Sequence, residues 1–362
     1  MNNNTYCIIM AGGYGSRFWP ICKDDSPKLF IDILGTGQSL LQSTFKRFEC
    51  VCPRENIIIV TNRIYVDRVR EQIGGLLPYQ VLGEPTRRNT APCVAYAASV
   101  IYEMNPHANV IVTPSDHAIF GMEHFIHDIE LALQVTETHD CIVTVGVRPT
   151  NPNVKYGYIQ FSEEPADPRM TNLHKVITFT EKPPVEMARQ FIATGEFFWN
   201  AGIFVWSMPT LRKAYETYLP NIAKKYFALK TSTPQAEVDN VYALSESISV
   251  DFGIMEHAGN VYVMEASFQW SDVESWDSLY GVARHDTNEN AVVTGKTLLY
   301  DVKNTVVHVP SNMTVVLQGL DGYIMAASED TILVCRRDNE DCIVKYISDV
   351  ELMTSRVEKS RR

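Results

Sequence analysis

The 362-residue sequence has no Cys-x-x-Cys pair, no apolar run of membrane-spanning length and fewer cations than anions. Each shortage removes a class of function. The eight cysteines (Cys7, Cys22, Cys50, Cys52, Cys93, Cys141, Cys335 and Cys342) sit mostly inside apolar stretches, so reduced core thiols are expected rather than a disulfide or zinc framework. Lys and Arg number 32 against 43 Asp and Glu. The resulting net charge of −11 argues against a non-specific grip on nucleic acid or an anionic membrane. Met1-Asn2-Asn3-Asn4-Thr5 carries no basic residue and Tyr6–Ala11 is too short for a signal core, so a cytoplasmic address is the expectation. What is present, 45% hydrophobic and 21% charged residues, suits a globular chain long enough for two domains.

The first half alternates β-rich apolar runs with helical periods, which predicts an α/β fold with a doubly wound, mostly parallel sheet and helices on both faces. Strands are expected at Tyr6–Met10, Ile57–Thr61, Tyr79–Leu82, Val110–Thr113 and Ile142–Val147, with helices at Leu40–Phe48, Tyr65–Ile73, Thr90–Met104 and Phe125–Thr138. From Tyr156 to about Leu244 the pattern loosens, and this stretch is expected to form a lid over the sheet. Short β-rich runs separated by Asn, Asp and Gly follow, so the chain is divided at residue 285, with a small all-β domain over 286–362 and a frayed tail at Arg356–Arg362.

The opening strand runs into Ala11-Gly12-Gly13-Tyr14-Gly15-Ser16-Arg17, followed by Ser26-Pro27-Lys28. Glycines after a strand let backbone N–H groups turn around phosphate oxygens, while Arg17 and Lys28 supply positive charge. The dinucleotide fingerprint would need a glycine where Phe18 stands, and a Walker loop would need Gly-Lys-Ser/Thr; neither is present. Asp116 follows a predicted strand, at the carboxyl end where open α/β sheets bind ligands. Read alone, Asp116 and Asp272 fit turn or cap residues better than metal ligands, because spacing cannot pair them.

The loop is followed in order by Glu84-Pro85-Thr86-Arg87-Arg88-Asn89-Thr90-Ala91-Pro92, Pro114-Ser115-Asp116-His117, Phe179-Thr180-Glu181-Lys182-Pro183, Trp199-Asn200-Ala201-Gly202-Ile203-Phe204 and Trp270-Ser271-Asp272-Val273. Together these elements resemble the sugar-1-phosphate nucleotidyltransferases, in the branch that joins GTP to mannose 1-phosphate. The resemblance implies GDP-mannose and pyrophosphate as products, and a nucleotide site of Ala11, Gly12, Gly13, Gly15, Ser16, Arg17, Glu84, Pro85, Arg88, Asn89 and Ser115. It implies a sugar-phosphate site of Asp116, Tyr156, Gly157, Glu181, Lys182, Asn200, Gly202 and Asp251, with Mg²⁺ on Asp116 and Asp272. Arg17, Lys28 and Lys182 would be the catalytic cations, and a partial β-helix over 286–362 would pair two subunits into a homodimer.

Glu84 has two acceptor oxygens, which match the adjacent N1–H and amine of guanine; an exposed Glu before a proline is the bland alternative. Arg88 and Asn89 precede a helix whose amino end favours anions. Lys182 suits a phosphate, and Glu181 with Asn200 suits sugar hydroxyls. Two positions depart from the resembled pattern: His257, where a Lys is frequent, and Glu274, where a Gly is usual. Three other readings stay open. The substrate could be another sugar phosphate, such as glucose or a manno-heptose. A non-catalytic regulatory subunit would be expected to have lost Arg17, Lys28, Asp116 or Asp272, which are all here. A bifunctional enzyme with an isomerase would need roughly a hundred further residues.

Overall fold

Runs of β-branched residues too short to make helices become strands. In the computed structural model, which describes residues 2–360 apart from Tyr14, Asp24 and Pro168 and omits the side chains of Ser16 and 355–360, these are β1 (Thr5–Ala11), β2 (Ile57–Asn62), β3 (Val81–Glu84), β4 (Asn109–Pro114) and β5 (Ile142–Val147). They are buried nearly residue by residue, as strands covered on both faces must be. With β6 (Tyr158–Asp167), β7 (Met170–Thr180), β8 (Phe197–Ser207) and β9 (Val261–Glu265) they form one nine-stranded sheet, ordered β3-β2-β1-β4-β8-β5-β9-β7-β6. The expected parallel arrangement runs from β3 to β4, where Ile8 lies between Ile58 and Val112, and recurs between β5 and β9. Helix Thr90–Met104 is apolar all round, and every residue from Ala91 to Ile101 is buried.

The loosened stretch after Tyr156 is not a lid. Its strands enter the sheet itself, β8 lying antiparallel between β4 and β5, with β7 and β6 extending the far edge. The long apolar run of β8 explains this, since Phe198, Ala201, Ile203, Phe204, Val205 and Trp206 could be buried only inside a sheet. Asn200 and Gly202 lie within this strand, at a register shift against β5, with Gly202 at φ +66°.

The chain divides into two compact units, neither of them one continuous stretch. The first comprises Met1–Gly12, Thr44–Ser115 and Ile119–Trp270, and holds the sheet; the second comprises Gly13–Ser43, Asp116–Ala118 and Ser271–Arg362. The second unit contains β10 (Ala291–Thr294), β11 (Lys296–Tyr300), β12 (Val306–His308), β13 (Thr314–Gln318), β14 (Tyr323–Ala327) and β15 (Ile332–Arg336). β10, β12 and β14 pair in parallel at intervals of one coil, as do β11 and β13, while β15 turns back antiparallel on β14. The core of this unit joins Ala291, Val306, Ile324 and Ile343 to Phe18, Cys22, Ile33 and Leu40 from the amino-terminal loop. Phe18 and Trp276 meet edge-on at 5.2 Å with both rings fully buried, worth roughly 0.5–1.5 kcal/mol beyond area burial. The tail expected to fray is instead helical through Ser360, in a helix beginning at Ile343; its last two residues lie outside the described part. Six of the eight cysteines are buried and all eight are free, while Cys50 and Cys342 are exposed. No helix among the described residues is long and apolar enough to cross a membrane.

Candidate active site

Lys28 organises the glycine-rich loop of the second unit. Its side chain is buried, and its ammonium donates to the Asp116 carboxylate at 2.9 Å and to the carbonyls of Asp272 and Val273 at 3.0 Å each. Three donors meet three acceptors, so residues 28, 116 and 272 are brought together around one charge. Burial pushes the Asp116 carboxyl upward, but Lys28 and then His117 outweigh it, and the group stays below the usual carboxylate range. Gly13 lies where an added Cβ would stand 3.1 Å from Asp116 Oδ2. Gly15, at φ +71°, would place a Cβ 2.4 Å from Cβ of Lys28, so only glycine fits there. Arg17 is met by Glu274, Nη1 to Oε1 at 2.5 Å. The Glu274 amide in turn donates to Asp272 Oδ1 at 3.1 Å. The Ser16 side chain lies outside the described part.

The rest of the expected nucleotide set belongs to the first unit. Ala11 ends β1 with its carbonyl accepting from Thr61 Oγ1 at 2.7 Å, and Gly12 has open space where a Cβ would be. Ser115 is buried; its amide donates to the Met10 carbonyl, and its Oγ has no hydrogen-bond partner among the described residues. Glu84 ends β3 and is only 6% exposed, not the exposed residue of the bland reading. Burial raises its carboxyl to about 7, against the hydrogen bond it accepts from the Tyr242 phenol at 3.1 Å. Pro85 follows, half-buried. Arg88 donates to the carbonyls of Tyr242 and Ala243, Asn89 caps the Thr90 amide with its own side chain, and the Ala91 amide donates to the Ile248 carbonyl. These bonds use N–H groups at that helix end which the sequence reading left for an anion.

Of the expected sugar-phosphate residues, Asp116 belongs to the second unit, on Lys28, and the others lie in the first unit, near Asn200. Its carboxamide donates to Asp251 Oδ1 at 2.7 Å and accepts from the Gly202 amide at 3.0 Å and from Thr144 Oγ1 at 3.3 Å, while its own amide donates to the Gly157 carbonyl. A Cβ at Gly157 would lie 2.7 Å from Glu181 Oε2, so a larger residue there would make that carboxylate shift. Lys182, at φ +46° and 62% exposed, meets its neighbour Glu181 at 3.0 Å. The Tyr156 ring packs edge-on against Trp199 and Trp270.

Burial, and then the nearby Glu181 charge, lift the Asp251 carboxyl to about 6. A carboxyl raised on folding contributes stability that is full below its unfolded value and is lost as pH rises through the folded one. Asp251→Asn keeps an acceptor for Asn200 and removes the charge. It is therefore expected to be about 1–2 kcal/mol more stable than the wild type at pH 7, and to flatten the fall in stability between pH ~4 and 6. Urea midpoints across that range test this; a variant that follows the wild-type profile refutes it.

Sequence reasoning passed over Tyr242 and Thr144, and over the Val273 carbonyl. Tyr242 lies 158 positions from Glu84, and nothing local marks it. Glu274 stood out only as a departure from the resembled pattern.

Residues 6–289 match the nucleotidyl transferase family. The chain is 28% identical to a mannose-1-phosphate guanylyltransferase of Escherichia coli, over 98% of this chain and 77% of that protein. It is 30% identical to the xanthan biosynthesis protein XanB of Xanthomonas campestris pv. campestris, over 95% of this chain and 73% of that one. A crystal structure described as a mannose-1-phosphate geranyltransferase of Thermus thermophilus superposes with a TM-score of 0.87 at 29% identity, covering 96% of this chain and 99% of the other.

Proposed function

Because the chain belongs to the nucleotidyl transferase family, we propose that it transfers a guanylyl group from GTP to mannose 1-phosphate, releasing GDP-mannose and pyrophosphate. Relatives that bear the name of this activity match over nearly the whole chain. The observation that carries the reading is the Lys28 ammonium joined to Asp116 and to the backbone at Asp272 and Val273, beside a glycine loop that tolerates no side chain at Gly15.

A phosphate oxygen of the sugar phosphate attacks the α-phosphorus of GTP; one P–O bond forms as the bond to pyrophosphate breaks. The attacking oxygen is already ionised at neutral pH, so no general base is required. The chain's residues work by positioning and by offsetting charge. Arg17 serves the triphosphate, with Lys28 holding Asp116 and the backbone at Asp272 and Val273 beside it; Lys182 serves the sugar phosphate, and Glu181, Asn200 and Asp251 the sugar hydroxyls. Glu84 reads the guanine edge. The donor set at Asp116 and Asp272 suits Mg²⁺, which takes one or two carboxylates and completes its shell with water and phosphate oxygens. When bound, it would supply positive charge to the phosphates.

We assign the reaction to residues 1–285 and subunit pairing to 286–362, in a cytoplasmic homodimer. Support for the pairing comes from the parallel strands β11 and β13, where Leu298 and Val316 are register partners and, with Tyr300, remain exposed.

Pyrophosphate release across four nucleoside triphosphates and several sugar 1-phosphates, with and without Mg²⁺, tests the proposal. GTP with mannose 1-phosphate should be fastest, and Glu84→Gln should narrow the preference for GTP over UTP by about tenfold. A faster rate with another pair replaces the substrate assignment. An unchanged preference in the variant removes Glu84 from base reading.

A further inference from the structure

The two cations of the loop are in different states. Lys28 is 3% exposed and all three of its donors are engaged inside the protein. Arg17 is within reach of solvent, and so is the carboxylate on it; their side chains are 31% and 44% exposed. Of these two cations, Arg17 is the one that an incoming polyanion can reach, and Glu274 already holds it.

The position of Glu274 is set by the backbone on each side. Val273 sits at φ +45°, a conformation a β-branched residue rarely adopts, and is retained by full burial and by the bond from Lys28 to its carbonyl. The Glu274 amide is tied to Asp272 Oδ1. After it, Ser275 caps the helix Trp276–Val282 by accepting from the Ser278 amide. This turn points a carboxylate at the phosphate-loop guanidinium, where a carboxylate and a phosphate compete for the same donors.

We infer that Glu274 is a specificity-determining residue of the nucleotide loop, an internal competitor that occupies Arg17 until a polyphosphate displaces it. Displacement costs the Arg17–Glu274 ion pair, so the residue weakens the binding of triphosphate and of pyrophosphate in parallel. When pyrophosphate leaves, Glu274 recaptures Arg17 and opposes its return. Binding of the sugar phosphate, which does not use Arg17, is unaffected. The inference rests on the proposed role of Arg17 in binding phosphate.

The test is calorimetric titration of magnesium pyrophosphate into the full chain, as wild type, Glu274→Gln, Arg17→Gln and the double variant. Because the pair is partly exposed, Glu274→Gln should bind pyrophosphate about three- to fivefold tighter. The KM for GTP should fall in step and the KM for mannose 1-phosphate should stay constant. Arg17→Gln should bind more weakly, and adding Glu274→Gln to it should change affinity by less than ~1.5-fold. If Arg17→Gln leaves pyrophosphate affinity unchanged, the phosphate reading of the loop fails. If Arg17→Gln weakens binding but Glu274→Gln does not tighten it, the role given to Glu274 fails while the function stands.

Discussion

Lys28→Met is expected to lower stability by about 3–5 kcal/mol and to cut kcat/KM by about a hundredfold to a thousandfold. Methionine fills nearly the same volume without a charge. It would leave the Asp116 carboxylate and the carbonyls of Asp272 and Val273 without their shared donor, in a place too buried for water to replace it fully. The pH dependence has a definite sign. Asp116 is held below its ordinary value by Lys28, so its stabilisation is present above the unfolded value and disappears as pH falls through the folded one. Without Lys28, burial dominates and the carboxyl rises above its unfolded value, so the sign reverses: the variant should lose most stability at pH 7 and recover part of it toward pH 5 as the carboxyl takes up a proton. Urea melts at pH 7 and pH 5, beside initial rates at pH 7, measure both effects. A variant with the wild-type midpoint would show that the ammonium is not the staple described above.

Lys182→Ala should separate function from stability in the opposite way. The residue is exposed and its pairing with Glu181 is local, so loss of the side chain should alter the urea midpoint by less than about 1 kcal/mol. Its effect should fall on the sugar phosphate, where kcat/KM is expected to drop about a hundredfold while the KM for GTP moves less than about twofold. The lysine charge also helps hold Asp251 down against Glu181, so the substitution should raise that carboxyl further. Initial rates with each substrate varied in turn give the result. Wild-type constants for the sugar phosphate would end the assignment.

The elements that sequence reading located best were those whose burial is purely local in cause. The helices Leu40–Phe48 and Thr90–Met104 and the strand Ile142–Val147 fall at the residues expected. Strand order was less accessible. β8 is separated from β4 and from β5 by long stretches of chain, and its insertion between them follows from which surfaces were left to cover, not from its own periodicity. In the site, the cations and carboxylates were visible as residue types in spaced motifs. Their partners were not, because the Val273 carbonyl, the Tyr242 phenol and the Thr144 hydroxyl offer ordinary chemistry that only tertiary folding aims. Arg88 and Asn89 were picked for charge and position beside a helix end, and their bonds to the carbonyls of Tyr242 and Ala243 and to the Thr90 amide were likewise invisible in the sequence.

The non-contiguous second unit has a consequence for the order in which the protein is made. A nascent chain that has emerged as far as Trp270 possesses all nine strands of the large sheet, but Phe18, Cys22, Ile33 and Leu40 still lack the apolar partners supplied by Val306, Ile324 and Ile343. Lys28 likewise has no carbonyl at Asp272 or Val273 to engage until those residues leave the ribosome. The glycine loop, translated well before these partners, is thus shaped only after they have been made.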